Sequence, residues 1–172
     1  MTGRDVRRDS LGPYRTPPRG TMPVADTLAF LRGRWRLERR LDDHRSGVCG
    51  TFTGDAVFAA TDDAAVLRYA ERGELRLGGH VGPATRSLVF LGRPDGVVDV
   101  RFADGREFYV LDLRSGMWTA RHGCGADEYV VSYLVRAAGW LEERWQVTGP
   151  RKAYDSMTTL RRLDAARSGA KT

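Results

Sequence analysis

The chain has 172 residues, 41% hydrophobic and 29% charged, which suits one globular domain with a buried core rather than a disordered chain. No run approaches the roughly 18 apolar residues of a membrane helix, residues 1–20 lack the apolar centre of a secretory signal, and two cysteines, Cys49 and Cys124, are too few for a disulfide framework, so a cytoplasmic protein without membrane contact is expected. Of the net charge of +6, residues 1–22 and 165–172 supply five units, which leaves the middle without the basic stripe of a nucleic-acid-binding domain.

Residues 1–22 hold Gly12, Pro13, Pro17, Pro18 and Gly20 among scattered charges and read as a disordered basic leader. A short helix is expected after Pro23, with Leu28, Phe30 and Leu31 on its apolar side and its stop at Gly33. Beyond it the chain breaks into short segments rich in β-branched and aromatic residues, separated by turn signals. The expected strands are 35–41, 51–60, 66–71, 74–78, 86–91, 97–102, 107–113, 117–124, 127–135, 140–147 and 155–163, and Asp104-Gly105 is the strongest hairpin signal among them. Residues 165–172 read as a flexible tail. A long meander of tightly turned strands removes its bare edges by closing on itself. The expected fold is therefore all-β: one domain over 23–164, a closed antiparallel up-and-down β-barrel of about ten strands with a short N-terminal helix.

The run from the helix into Gly33-Arg34-Trp35 resembles the opening of the calycins, the superfamily of lipocalins, fatty-acid-binding proteins and nitrobindins. The resemblance implies a barrel with an arginine of the last strand laid across that tryptophan, a place Arg161 or Arg162 fits. A closer likeness is to an uncharacterised bacterial family without assigned activity. It rests on Gly33-Arg34-Trp35-x-Leu37-Glu38-Arg39, Tyr69-x-Glu71-x-Gly73, His122-x-Cys124-x-x-Asp127-x-Tyr129, and Trp145-x-Val147-x-Gly149-Pro150-Arg151-Lys152.

Hairpin arithmetic places side chains. With Gly125-Ala126 as a two-residue loop, Cys124 faces Asp127, His122 faces Tyr129, Ala120 faces Val131 and Trp118 faces Tyr133. If Val135 then pairs with Trp140, Tyr133 meets Glu142, Val131 meets Arg144 and Tyr129 meets Gln146. One face collects His122, Cys124, Asp127, Tyr129, Tyr133, Glu142, Arg144 and Gln146. The other collects Leu141, Trp145 and Val147, with Arg121 and Glu143 as exceptions. The polar set is either solvated surface or the lining of a ligand cavity, and a slip of one residue exchanges the two.

As a cavity lining, the set suits a small organic molecule. His122 would be the acid/base, Asp127 and Tyr129 its catalytic partners, and Trp118, Cys124, Tyr133, Glu142, Arg144 and Lys152 the ligand-binding groups. Such a site favours a cofactor-free and metal-free cyclisation or isomerisation, in which positioning and exclusion of water supply the rate. Carriage without catalysis needs the same pocket and stays open, as does a solid structural barrel. A haem-binding barrel of the nitrobindin kind is a further alternative, although that resemblance places its histidine in the last strands and this chain has none after His122. Zinc on His122, Cys124 and Asp127 fits by ligand type but not by spacing. His44 reads as exposed, and His80 as part of a plain glycine-rich turn, with a portal loop as the alternative.

Overall fold

A computed structural model describes residues 20–163. The tail expected at 165–172 lies outside them, as does the leader except for its last three residues. Helix α1 (Thr27–Leu31) precedes ten strands: β1 (Gly33–Asp43), β2 (Val48–Ala60), β3 (Val66–Leu77), β4 (His80–Gly92), β5 (Val98–Phe102), β6 (Glu107–Leu111), β7 (Met117–Cys124), β8 (Asp127–Ala137), β9 (Trp140–Thr148) and β10 (Ala153–Arg162). They form one antiparallel sheet in the order β6-β5-β4-β3-β2-β1-β10-β9-β8-β7, with β10 joining β1. The two end strands, β6 and β7, pack side by side and nearly close the barrel. Across that seam the Trp118 indole Nε1 donates to the Val110 carbonyl at 2.6 Å, a side-chain bond where a ladder would otherwise run.

The expected segments 66–71 and 74–78 are a single strand, β3. The Arg72-Gly73 signal marks a close approach instead of a turn. Gly73 pairs with Gly54 of β2, and a Cβ on Gly54 would stand 2.2 Å from the Arg72 carbonyl oxygen. Two facing glycines let the coiled strands press together, as tight barrel bends require. The turn lies further on, at Gly78-Gly79, where Gly78 has φ +59. His80 consequently belongs to β4, opposite Leu77, and not to the turn or to a portal loop.

Helix α1 starts four residues after Pro23. Its N-cap is Asp26, whose carboxylate accepts from the Ala29 amide at 2.7 Å. Gly33 then turns the chain into β1 at φ +120, a conformation that L side chains rarely adopt. The helix closes one end of the barrel. Thr27 Oγ1 accepts from the Leu113 amide at 3.0 Å, and Trp35 Nε1 donates to the Leu31 carbonyl at 2.8 Å. The arginine across Trp35 is Arg162, with its guanidinium carbon 4.2 Å from the ring centroid. It also donates to the carbonyls of Arg32, at 2.7 Å, and Phe30. Arg161 points outward over Trp140. Above this floor, Leu37, Leu67, Leu111, Val135 and Leu141 fill the lower interior and are fully buried.

Ala at position 54 has no room without movement of the β3 backbone. Gly54→Ala is expected to cost about 1–3 kcal/mol in urea denaturation. Gly123→Ala, where nothing lies within 4 Å, is the control and should stay within about 0.5 kcal/mol.

Candidate functional site

The β7–β8 hairpin has the expected register: Cys124 pairs with Asp127, His122 with Tyr129, Ala120 with Val131, and Trp118 with Tyr133. The next hairpin is displaced by one. A bulge between Val135 and Ala137 skips Arg136, so Tyr133 meets Glu143, Val131 meets Trp145 and Tyr129 meets Val147. The extra residue reverses the faces of β9. Glu142, Arg144 and Gln146, expected on the same face as His122 and Tyr133, lie on the outer surface, and Glu143 and Trp145 are buried. Glu142 pairs there with Arg136 at 2.9 Å, and Arg144 with Asp155 at 3.2 Å.

The middle of the barrel is consequently polar. On β1 the pattern of inward odd positions runs from Trp35 and Leu37 to Arg39, whose guanidinium grips Glu71 of β3 at 2.8 and 2.9 Å. Arg39 Nε donates to Thr158 Oγ1 at 2.8 Å, and the Tyr69 hydroxyl donates to Glu71 Oε2 at 2.5 Å. Burial by itself would raise the Glu71 pKa. The Arg39 hydrogen bonds and charge outweigh it and hold the carboxyl below its usual range. Burial, joined by the Glu71 charge, pushes Tyr69 well above the usual phenol value. Tyr109 and Tyr133 share a hydrogen bond of 2.6 Å and are buried too. Arg39, Glu71 and Glu143 escaped sequence selection, although the signals were present. The first two end or centre family motifs, and Glu143 is a charge inside an apolar alternation.

Arg86 of β4 stands directly across from Glu71, but Arg39 already occupies that carboxylate. Arg86 reaches instead over the faces of Phe108 and Trp145, 5.9 and 5.7 Å from their centroids. It forms no hydrogen bond or ion pair with any described residue; Glu71, its cross-strand neighbour, bonds to Arg39 and Tyr69 alone. Burial lowers its pKa, and the surrounding groups, Glu143 first and then Tyr109, Glu71 and Tyr69, together more than restore it. Glu143 itself accepts from Trp145 Nε1. Arg86, Glu143, Tyr69, Tyr109 and Tyr133 all line a cavity of about 20 Å³, room for one water-sized group, with apolar side chains beneath.

Towards the end of the barrel away from α1 stands the expected catalytic group. His122 is half-buried, edge-on to Phe108 at 5.2 Å between ring centroids. Phe108 stacks in turn on Phe102 and Trp145, at 4.4 and 5.2 Å. Burial lowers the His122 pKa, and a hydrogen bond with the Phe108 backbone opposes this. Tyr129 is near, with ring centroids 6.1 Å apart, but its hydroxyl is taken by Lys152 at 2.8 Å. Asp127 also goes to Lys152, at 2.9 Å. The structure thus joins Asp127, Tyr129 and Lys152 to one another and leaves His122 without either as a hydrogen-bond partner. The hydrogen bonds that Lys152 donates to Tyr129 and Asp127 raise its pKa. Cys124 is exposed with a free thiol, Tyr133 lies deep inside, and Trp118 belongs to the seam. Among the described residues no three His, Cys, Asp or Glu side chains come together as a metal site, and no helix is long and apolar enough to cross a membrane.

Two measurements follow from these surroundings. The folded His122 gives up its proton more readily than the unfolded chain, whose value is about 6.5, so it weakens the fold as pH falls through and below that value. NMR titration should place His122 below 6.5, and His122→Gln should flatten the acid side of the stability curve. Glu71→Ala strands the Arg39 guanidinium and should destabilise by about 3–5 kcal/mol in chemical denaturation.

No curated protein matches this sequence. Among solved structures, an S-type phycobiliprotein lyase from Guillardia theta superposes with a TM-score of 0.58 at 13% identity, covering 85% of this chain and 96% of the lyase. A redesigned β-barrel, mFAP0, bound to DFHBI, superposes with a TM-score of 0.44 at 12% identity, over 77% of this chain and 99% of the other. A second DFHBI complex, EF1p2_mFAP2b, gives 0.44 and 11%, over 78% and 95%. At 13% identity the likeness to the lyase is one of fold alone, an antiparallel β-barrel. Residues 31–162, from the end of α1 to the arginine over Trp35, match a family of unknown function, DUF6314, and the chain belongs to that family.

Proposed function

We propose that this barrel binds a small organic molecule at its polar middle, with the cavity beside Arg86 receiving one end of it. The observation that carries the reading is Arg86, an inward guanidinium without a hydrogen-bond partner among the described residues, beside a cavity. A barrel that served only as scaffold would gain by carrying apolar side chains in place of Arg86 and Glu143, because inward charges that form no ion pair with each other cost free energy. Arg86 is half-buried, and its donors stand open to an acceptor that a bound molecule would bring. The stacked rings of Phe102, Phe108 and Trp145 put aromatic side chains next to those donors, the usual composition of a small-molecule pocket.

Proton transfer by His122 is the finer form of this reading. A depressed pKa keeps the imidazole neutral near pH 7, as a general base requires, and the ring lies beside the aromatic stack. In that form Asp127 and Tyr129 act by anchoring Lys152 at the rim. The reaction would need no cofactor, and the free, exposed thiols of Cys49 and Cys124 suit the reducing cytoplasm.

A panel of neutral aromatic compounds tests the proposal through quenching of tryptophan fluorescence and thermal unfolding. A compound at a hundred times its Kd should add about 2.7 kcal/mol, raising Tm by roughly 5–10 °C. Trp145→Phe should abolish most of the quenching while keeping the Tm rise. A panel that neither quenches nor stabilises sinks the proposal.

A further inference from the structure

We infer that the group received at the Arg86–Glu143 cavity is uncharged and presents a carbonyl oxygen beside an N–H, as a lactam, imide or carboxamide does. This deepens the binding function proposed above and rests on it. The inference starts from charge balance. Four charged side chains occupy the barrel middle, and two of them, Arg39 and Glu71, neutralise one another in a bidentate pair. Arg86 and Glu143 remain, both on the wall of the same cavity and not in contact with each other. They balance as well, so the middle carries no net charge.

An anion seated on Arg86 would meet the Glu143 carboxylate on the same small cavity and leave the interior negative. A cation seated on Glu143 would meet Arg86 and leave it positive. In a site of low dielectric either imbalance is expensive. A neutral group with an acceptor and a donor side by side satisfies both walls. Its carbonyl accepts from the guanidinium, and its N–H donates to the carboxylate, two charge-assisted hydrogen bonds without added charge. The volume supports this division. About 20 Å³ admits one water-sized group of the polar edge and not the body of the molecule. The body belongs against Phe108 and Trp145, whose rings are stacked at 12° and already receive the Arg86 cation on their faces. Seating it requires the Phe108 ring to turn out of its stack, towards the β6–β7 seam where no ladder holds it.

The test uses three bicyclic probes of similar size on the full chain, with affinities read from tryptophan quenching. They are 2-quinolone, N-methyl-2-quinolone, which lacks the donor, and 2-naphthoate, which is an anion. Binding of 2-quinolone at least about ten-fold tighter than either of the others is expected, since a site built for a donor rejects the analogue without it. Glu143→Gln removes the negative wall and should shift the preference towards 2-naphthoate by about ten-fold or more. Arg86→Met should lose about ten-fold or more for 2-quinolone, with circular dichroism confirming the fold and Arg86→Lys available if it does not fold. Equal binding of all three probes overturns the inference and leaves the binding function intact. Strongest binding of 2-naphthoate by the unaltered protein overturns it in favour of an anion site. If no probe binds and the wider aromatic panel is also silent, the binding function falls, and this inference with it.

Discussion

The bidentate pairing of Arg39 with Glu71 organises the middle of this barrel. By register Glu71 stands opposite Arg86, and a simple cross-strand ion pair would have joined them. Arg39 reaches Glu71 across β2, braced by Thr158 on one side, while Tyr69 occupies the same carboxylate on the other. Glu71 has no capacity left, and Arg86 is released towards the aromatic rings and the cavity. The charge that gives the interior its chemistry is therefore available because another arginine has displaced it. A buried carboxylate with three donors also resists protonation.

The two ends of the barrel are built on different principles. At the α1 end, Trp35, Leu31 and Arg162 interlock through indole, carbonyl and guanidinium contacts, and nothing is left unsatisfied among them. At the other end the side chains are half-buried, and the hydrogen bonds run between neighbours on the rim, as in Lys152 with Tyr129 and Asp127. A fold stabilised from one end leaves the other free to carry function, which is where loops and rims of rigid scaffolds commonly place it.

Much of the fold is legible in the sequence, for identifiable reasons. Strand segments alternate, turns carry Gly and Asp, and the β7–β8 register follows from a two-residue loop with a left-handed Gly125. What sequence reasoning misses depends on single extra residues or on close approach. The bulge at Arg136 has no local signature, yet it carries Glu143 and Trp145 inward and sends Glu142 and Arg144 outward. Gly73 reads as a turn because only the facing Gly54 reveals that it is a point of contact. The candidate site suffers most from such slips: His122, Tyr129 and Tyr133 share a face as the hairpin register implies, while the interior charges come from Arg39, Glu71, Arg86 and Glu143, spread over more than a hundred residues of sequence.

The seam between β6 and β7 gives the barrel a direction in which it can yield. Every other neighbouring pair of strands is joined by a ladder, so separating them breaks a row of backbone hydrogen bonds at once. Here side chains do the joining, led by the Trp118 indole. Widening the circumference at this line sacrifices few backbone bonds, so the amides of β6 and β7 should exchange with solvent hydrogen sooner than those of β1 or β10. The fold combines a rigid back wall, β2-β1-β10-β9, with a front that can part, much as a clasped ring changes diameter without bending its band.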